Sequence, residues 1–139
     1  MRYVVGATLP PLEPPEVDRM RIAYMTVAMR DPNPVHIEDD YAQRCGLPGV
    51  IAHGTFVVAY LGLAVSRLVG VDAVRRVRAD LTQPVFPGDK ITTEATVTEV
   101  VPEADGAVVT VALSAVRDDG TQVGRGEAVF RARDEEVSR

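Results

Sequence analysis

Hydrophobic positions along the 139-residue chain follow two regimes that change near Gly70. Before it, the run TFVVAYLGLAV from Thr55 to Val65 is apolar around a whole helical circumference, which predicts a buried helix ending near Arg67 and Gly70. After it, the segments VRRVRADLTQPVF, KITTEATVTEVV, GAVVTVALSAVRDDG and TQVGRGEAVFRAR are rich in valine and threonine and separated by PGD, PEADG and DDG. Such segments read as consecutive antiparallel strands. Ala107 to Val116 is apolar at both alternating phases, which predicts a central strand covered on both faces. One buried helix and a run of antiparallel strands define an α+β domain in which a curved sheet wraps the helix. A small sheet cannot enclose such a helix alone, so a second copy is expected to supply the missing contacts.

The amino-terminal third is patterned differently. PPLEPP at Pro10 to Pro15 disfavours helix and most sheet pairing and reads as a stiff connector. Asp18 can cap a helix in which Ile22, Met25 and Met29 recur at helical spacing, with Ala23 and Ala28 on or beside that face. That helix must stop at Asp31, because Pro32 disfavours helical angles in the residue before it. Glu38, Asp39 and Asp40 then open a short helix stopped by Gly46. The last nine residues, from Arg131, read as a charged, frayed end.

Length and an apolar content of 46% fit one domain over residues 1–139 with a real core. The lone Cys45 excludes an internal disulfide, and with two histidines the spacing supports no zinc cluster, so no metal is expected. The first residues lack the long apolar segment and cleavage site of a secretory signal, and the longest apolar run is too short to cross a bilayer; the chain reads as cytoplasmic, with no membrane partner. A net charge of −5 argues against nucleic acid as a partner. Arg75, Arg76 and Arg78 are the local exception; they read first as a solvated strand face and second as a contact for phosphate or an acidic carrier.

The candidate chemistry lies in DPNPVH at Asp31 to His36. Pro32 and Pro34 fix two backbone angles and delete two donors, so a carboxylate and an imidazole sit at the ends of a stiff, irregular loop. If both face one cavity they can hold a water, and an imidazole with an ordinary pKa of about 6.5 exchanges protons at neutral pH. The plain alternative is an Asx-type turn with a capping histidine. AHG at Ala52 to Gly54 adds a second signal: a glycine ahead of the buried helix lets a ligand approach free N–H groups, a seat for a carbonyl oxygen that gains negative charge. The plain alternative there is a tight turn and a packed core histidine. An acid/base pair and an oxyanion seat together describe addition of water to an enoyl thioester, or its reverse.

With these residues in view, the sequence resembles the MaoC-like hydratases, also called hydratase 2 or (R)-specific enoyl-CoA hydratases, including 3-hydroxyacyl dehydratases of fatty-acid and mycolic-acid synthesis. The resemblance rests on DPNPVH followed by Tyr41-Ala42, LPGVIAHG at Leu47 to Gly54, PVFPGD at Pro84 to Asp89 and GRGEAVF near the end. It implies a hot-dog fold, a dimer or higher assembly, and syn hydration of a trans-2-enoyl thioester to the (R)-3-hydroxyacyl product. By match to the family's motif, Asp31 and His36 would hold the catalytic water and the Gly54 N–H would polarise the thioester carbonyl. Asn33 would shape the loop and contact the substrate region, with His53 and Thr55 beside it. No cofactor is implied beyond the CoA or acyl-carrier thioester that is itself the substrate. Two positions depart from the family's pattern: Met29-Arg30 stands where Ser-Gly is usual, and Ala59 stands near a serine of some members. Arg30 would tend to keep the Asp31 carboxylate ionised. A thioesterase is disfavoured because Thr55 to Val69 contains no Asp or Glu, and a partner-dependent subunit of a heteromeric dehydratase is the reading from another class.

Overall fold

The computed structural model describes residues 2–133 and Glu136. In chain order they form α1 (Arg19–Met29), a 3-10 turn (Pro34–His36), α2 (Asp39–Arg44), α3 (Thr55–Val69), a second 3-10 turn (Val71–Ala73), and strands β1 (Val74–Leu81), β2 (Ile91–Glu103), β3 (Gly106–Arg117) and β4 (Gln122–Ala132). The strands make one antiparallel sheet in the order β1-β4-β3-β2. A four-stranded antiparallel sheet around a long helix is the hot-dog architecture, class α+β.

Register places one row of side chains across the sheet: Val97 faces Val111, Val111 faces Ala128, and Ala128 faces Val77. The first three are buried, and so are Phe56, Val57, Leu61 and Val65 of α3, which belong to the same core. Burying a side chain of the size of Leu61 or Val65 contributes about 1.5–3 kcal/mol. The helix comes close to β4 because position 124 is glycine; a Cβ there would run into Val57 Cγ1.

Several expectations need correction. β3 is internal to the sheet, yet only one face is sealed: Ala107, Val109, Val111, Leu113 and Ala115 are buried, whereas Ala112 is exposed and Val108 half-buried. Both phases are apolar because valine suits a strand, not because both sides are covered. On α1 only Ile22 is buried; Met25 is half-buried, and Met29, Ala23 and Ala28 are exposed. The first strand ends at Leu81, not Phe86: the chain leaves the sheet, and Val85 O instead accepts from Ala52 N at 2.7 Å. The proline-rich segment pairs at one point only, Leu12, after the stretch ahead of it has paired more fully. Gly6, Ala7, Leu9 and Leu12 exchange main-chain hydrogen bonds of 2.8–3.0 Å with β2, an arrangement prolines tolerate on a sheet edge. Of the charged C-terminal residues, 134, 135 and 137–139 lie outside the described residues.

Helix α3 ends at Gly70, whose φ of 82° favours glycine, close to the expected stop. Its outward side keeps Val58 at 41% exposure and Ala59 exposed, so this chain alone does not enclose it. Among the described residues no helix is long and apolar enough to cross a membrane.

Candidate active site

Helix α1 starts with the Asp18 carboxylate accepting from Arg21 N at 2.7 Å, a side-chain cap that satisfies one of the free amides of the first turn. It ends at Arg30, the one non-glycine residue with positive φ (52°) among the described residues. Arg30 N and Asp31 N donate to Val27 O and Thr26 O at 3.2 and 3.1 Å, closing the last turn. A left-handed arginine costs about 1 kcal/mol relative to glycine, and it reverses the chain directly into Asp31.

Beyond it the loop braces itself. Asn33 Oδ1 accepts from Val35 N at 3.2 Å and caps the 3-10 turn, and Asn33 N lies 3.4 Å from Asp31 Oδ1. His36 Nδ1 sits 2.8 Å from Ile51 O. A carbonyl only accepts, so Nδ1 carries the hydrogen and Nε2 is the other face of the ring. Nε2 lies 3.8 Å from Asp31 Oδ2, with the His36 side chain 10% exposed and Asp31 49%. That separation is too long for a direct hydrogen bond and suits one bridging water. The plain turn and the functional loop are therefore the same structure.

The head of α3 is built oppositely. Gly54 has φ −56° and ψ −24°, angles any residue adopts, so its glycine is not there for a turn. A Cβ at 54 would instead run into Leu81 Cδ1. The space above Gly54 is thus partly taken by a protein side chain, a correction to the idea that glycine simply admits a ligand. The Gly54 and Thr55 N–H groups make no hydrogen bond among the described residues. Three buried side-chain nitrogen or oxygen atoms there, His53 Nδ1, His53 Nε2 and Thr55 Oγ1, have no hydrogen-bond partner among the described residues. A cavity of about 290 Å³ opens beside them, lined by Ala52, His53, Gly54, Val57, Leu81 and the chain after it.

Tertiary folding joins the two regions through their histidines. The His36 and His53 rings stack with centroids 3.7 Å apart and planes at 24°, and ligand-type atoms of Asp31, His36 and His53 all lie within 4.8 Å of one another. Burial first, and the neighbouring His36 second, hold the His53 imidazole below its ordinary pKa; the main chain and carboxylate of Asp31 oppose this without reversing it. A two-histidine, one-carboxylate group has the donors for a divalent cation. Stacked rings, however, keep their nitrogen lone pairs in two planes only 24° apart, with centroids 3.7 Å from each other, a poor arrangement for both to meet one ion.

Asp31, His36 and His53 thus converge; of the predicted site residues, His53 and Gly54 line the adjoining cavity while Asp31, His36 and Thr55 lie outside its lining, and Asn33 is committed to the loop. Nothing in local spacing signals the His36–His53 stack across 17 positions, or Leu81 over Gly54. PVFPGD explains itself as a support: Asp89 Oδ2 accepts from Phe86 N at 2.8 Å and lies 3.3 Å from Arg117, so the turn that holds Ala52 N is clamped.

Fold and cluster together define a hot-dog protein with a carboxylate–imidazole pair at the head of its central helix. The MaoC like domain family matches residues 10–118, and the chain belongs to that family. It is 36% identical over 116 residues to a UPF0336 protein of Streptomyces avermitilis, covering 77% of each chain. It is 40% identical over 78 residues, 52% of each chain, to a protein of Rhodospirillum rubrum named (R)-specific enoyl-CoA hydratase. The unliganded R-hydratase PhaJ1 of Pseudomonas aeruginosa superposes with a TM-score of 0.82 at 25% identity, covering 95% of this chain and 83% of that one. Family and relatives support hydratase or dehydratase chemistry.

Proposed function

We propose that the protein adds water to trans-2-enoyl thioesters to give (R)-3-hydroxyacyl thioesters, or runs the reverse dehydration, with CoA or an acyl carrier as the handle and no cofactor. The observation that carries this reading is the 3.8 Å gap between His36 Nε2 and Asp31 Oδ2, the width of one bridging water. As the water oxygen bonds to C3, one member of the pair takes its proton and a proton from the other reaches C2, so the pair returns to its starting proton count. Enolate charge that builds on the thioester oxygen would be met by the unpaired N–H groups of Gly54 and Thr55, in the electropositive first turn of a 15-residue helix. His53 and Thr55 would border the bound thioester.

The same reading makes the folded unit a single domain and its assembly at least a dimer, with the uncovered Val58 and Ala59 side of α3 closed by a second copy. Sedimentation as a monomer at micromolar concentration would remove that part. The activity is tested by loss of enoyl absorbance from crotonyl-CoA and longer enoyl-CoAs, with thiol trapping as the control for thioester hydrolysis. Turnover by wild type that His36→Ala matches would defeat the assignment.

A further inference from the structure

We infer that His53 is a positioning residue: its buried ring, stacked on His36, holds His36 in the plane that presents Nε2 to the water. This deepens the proposed hydration reading and rests on it.

Three observations carry the inference. First, the stack is close, 3.7 Å between centroids, so two positive charges there would repel strongly in a site with little water. Second, the surroundings of the two rings differ. His36 has Ile51 O 2.8 Å from Nδ1 and the Asp31 carboxylate 3.8 Å from Nε2. His53 is 4% exposed, and although the Asp31 main chain lies near its ring, neither of its nitrogens makes a hydrogen bond of good geometry among the described residues. Its charged neighbours are His36 from the 3-10 turn and Asp31 from the loop before it. Gly54 and Val57 of α3, Leu81 of β1, and Thr82 and Gln83 beyond it border the same cavity and carry no charge. Third, the hydrogen bond to Ile51 O fixes one point of the His36 ring, and the stack fixes its tilt; two constraints set a plane where one leaves a hinge. The direction of the His53 pKa agrees.

The chain contains two histidines, so the whole protein gives two imidazole signals by carbon-edited NMR, and a single substitution assigns them. The signal that survives in His36→Asn is that of His53, and in the wild type it should titrate below the ordinary imidazole range. In His36→Asn, His53 should titrate at higher pH than in wild type, because a positive neighbour has been removed. A His53 midpoint indifferent to position 36 would overturn the inference. His53→Phe keeps a flat buried ring and His53→Asn does not. The Asn variant should lose kcat/KM by about 10- to 100-fold through misplacement of His36, with a loss that changes with pH. The Phe variant should lose less kcat/KM than the Asn variant, because it keeps the stacked ring that sets the tilt of His36. Equal, pH-independent losses in both would mark His53 as packing only. The titrations need no turnover, so they stand or fall separately from the hydratase assay.

Discussion

The two regions that meet in the site, the proline-braced loop from Asp31 to His36 and the head of α3 from His53 to Thr55, solve opposite problems. The loop is largely open to solvent yet internally bonded: Asn33 caps the turn and Ile51 O holds His36. The helix head is buried yet leaves every side-chain nitrogen and oxygen of His53 and Thr55 unpaired. A native chain leaves few such atoms without a reason. The difference separates geometry from readiness: the loop fixes where protons are exchanged, and the helix head withholds hydrogen-bonding capacity for whatever enters the cavity.

The largest effect that can break this comparison is on rate. Asp31→Asn and His36→Gln should each lower hydration by on the order of 10²- to 10⁴-fold. The double variant should lose far less than the product of the two, since paired groups act as a unit. Thermal midpoints should barely move, because Pro32, Pro34 and Asn33 brace the loop without the two reacting groups. A large loss of stability in either would show that the pair is structural.

Gly54→Ala tests the helix head. The new methyl displaces Leu81, a side chain 53% exposed with room to turn, so the stability cost should stay below about 1 kcal/mol. A displaced Leu81 enters the cavity it already lines, and KM for an enoyl-CoA should rise by roughly 10-fold. Adding Leu81→Ala should recover much of that rise. If it does not, the methyl itself blocks the N–H groups, and Leu81 is irrelevant.

Local signals and tertiary contacts differ in how much of this was legible from sequence. Asp18, Pro32, Gly46 and Gly70 punctuate the chain by backbone geometry, which each residue carries with it, and the helices follow them closely. The Val- and Thr-rich segments read correctly as strands for the same local reason. What was illegible depends on distance: the order β1-β4-β3-β2, the edge pairing of Leu12 with β2, Leu81 above Gly54, and the stack of His36 on His53. The burial of α1 was misread because Met29 and Ala28 are apolar but have nothing to pack against in one chain.

The support beneath the helix head should respond next. Asp89→Ala removes an acceptor for Phe86 N and a partner of the mostly buried Arg117, with about 2 kcal/mol of stability expected to go. Chemical denaturation reads this as a lower midpoint at unchanged slope. Because Val85 O holds Ala52 N, activity should fall with stability. A fall in stability with full activity would mean the helix head is positioned by other contacts. Thr55→Val should move the other way: removing a buried hydroxyl without a partner stabilises by about 1 kcal/mol while KM rises.

The smallest effect separates the two histidines without any substrate. The folded His53 is held below its ordinary pKa of 6.5, so as pH falls past that value the unfolded chain takes a proton that the native protein refuses. More protons on the unfolded state mean that stability rises with pH; the contribution of His53 is complete above about 6.5 and is lost as pH drops toward its folded pKa. One proton limits the slope to about 1.4 kcal/mol per pH unit. Asp39 and Asp119 are also held below their ordinary 3.8, by hydrogen bonds led by Arg19 for the first and by Thr121 N for the second, but their share of stability is lost only at still lower pH. The interval from 6.5 down to about 4 is therefore the one in which His53 can be read. Urea midpoints measured across it should decline in wild type and flatten in His53→Phe. A decline that survives the substitution unchanged would place the proton elsewhere and leave the helix head with no electrostatic distinction from the loop.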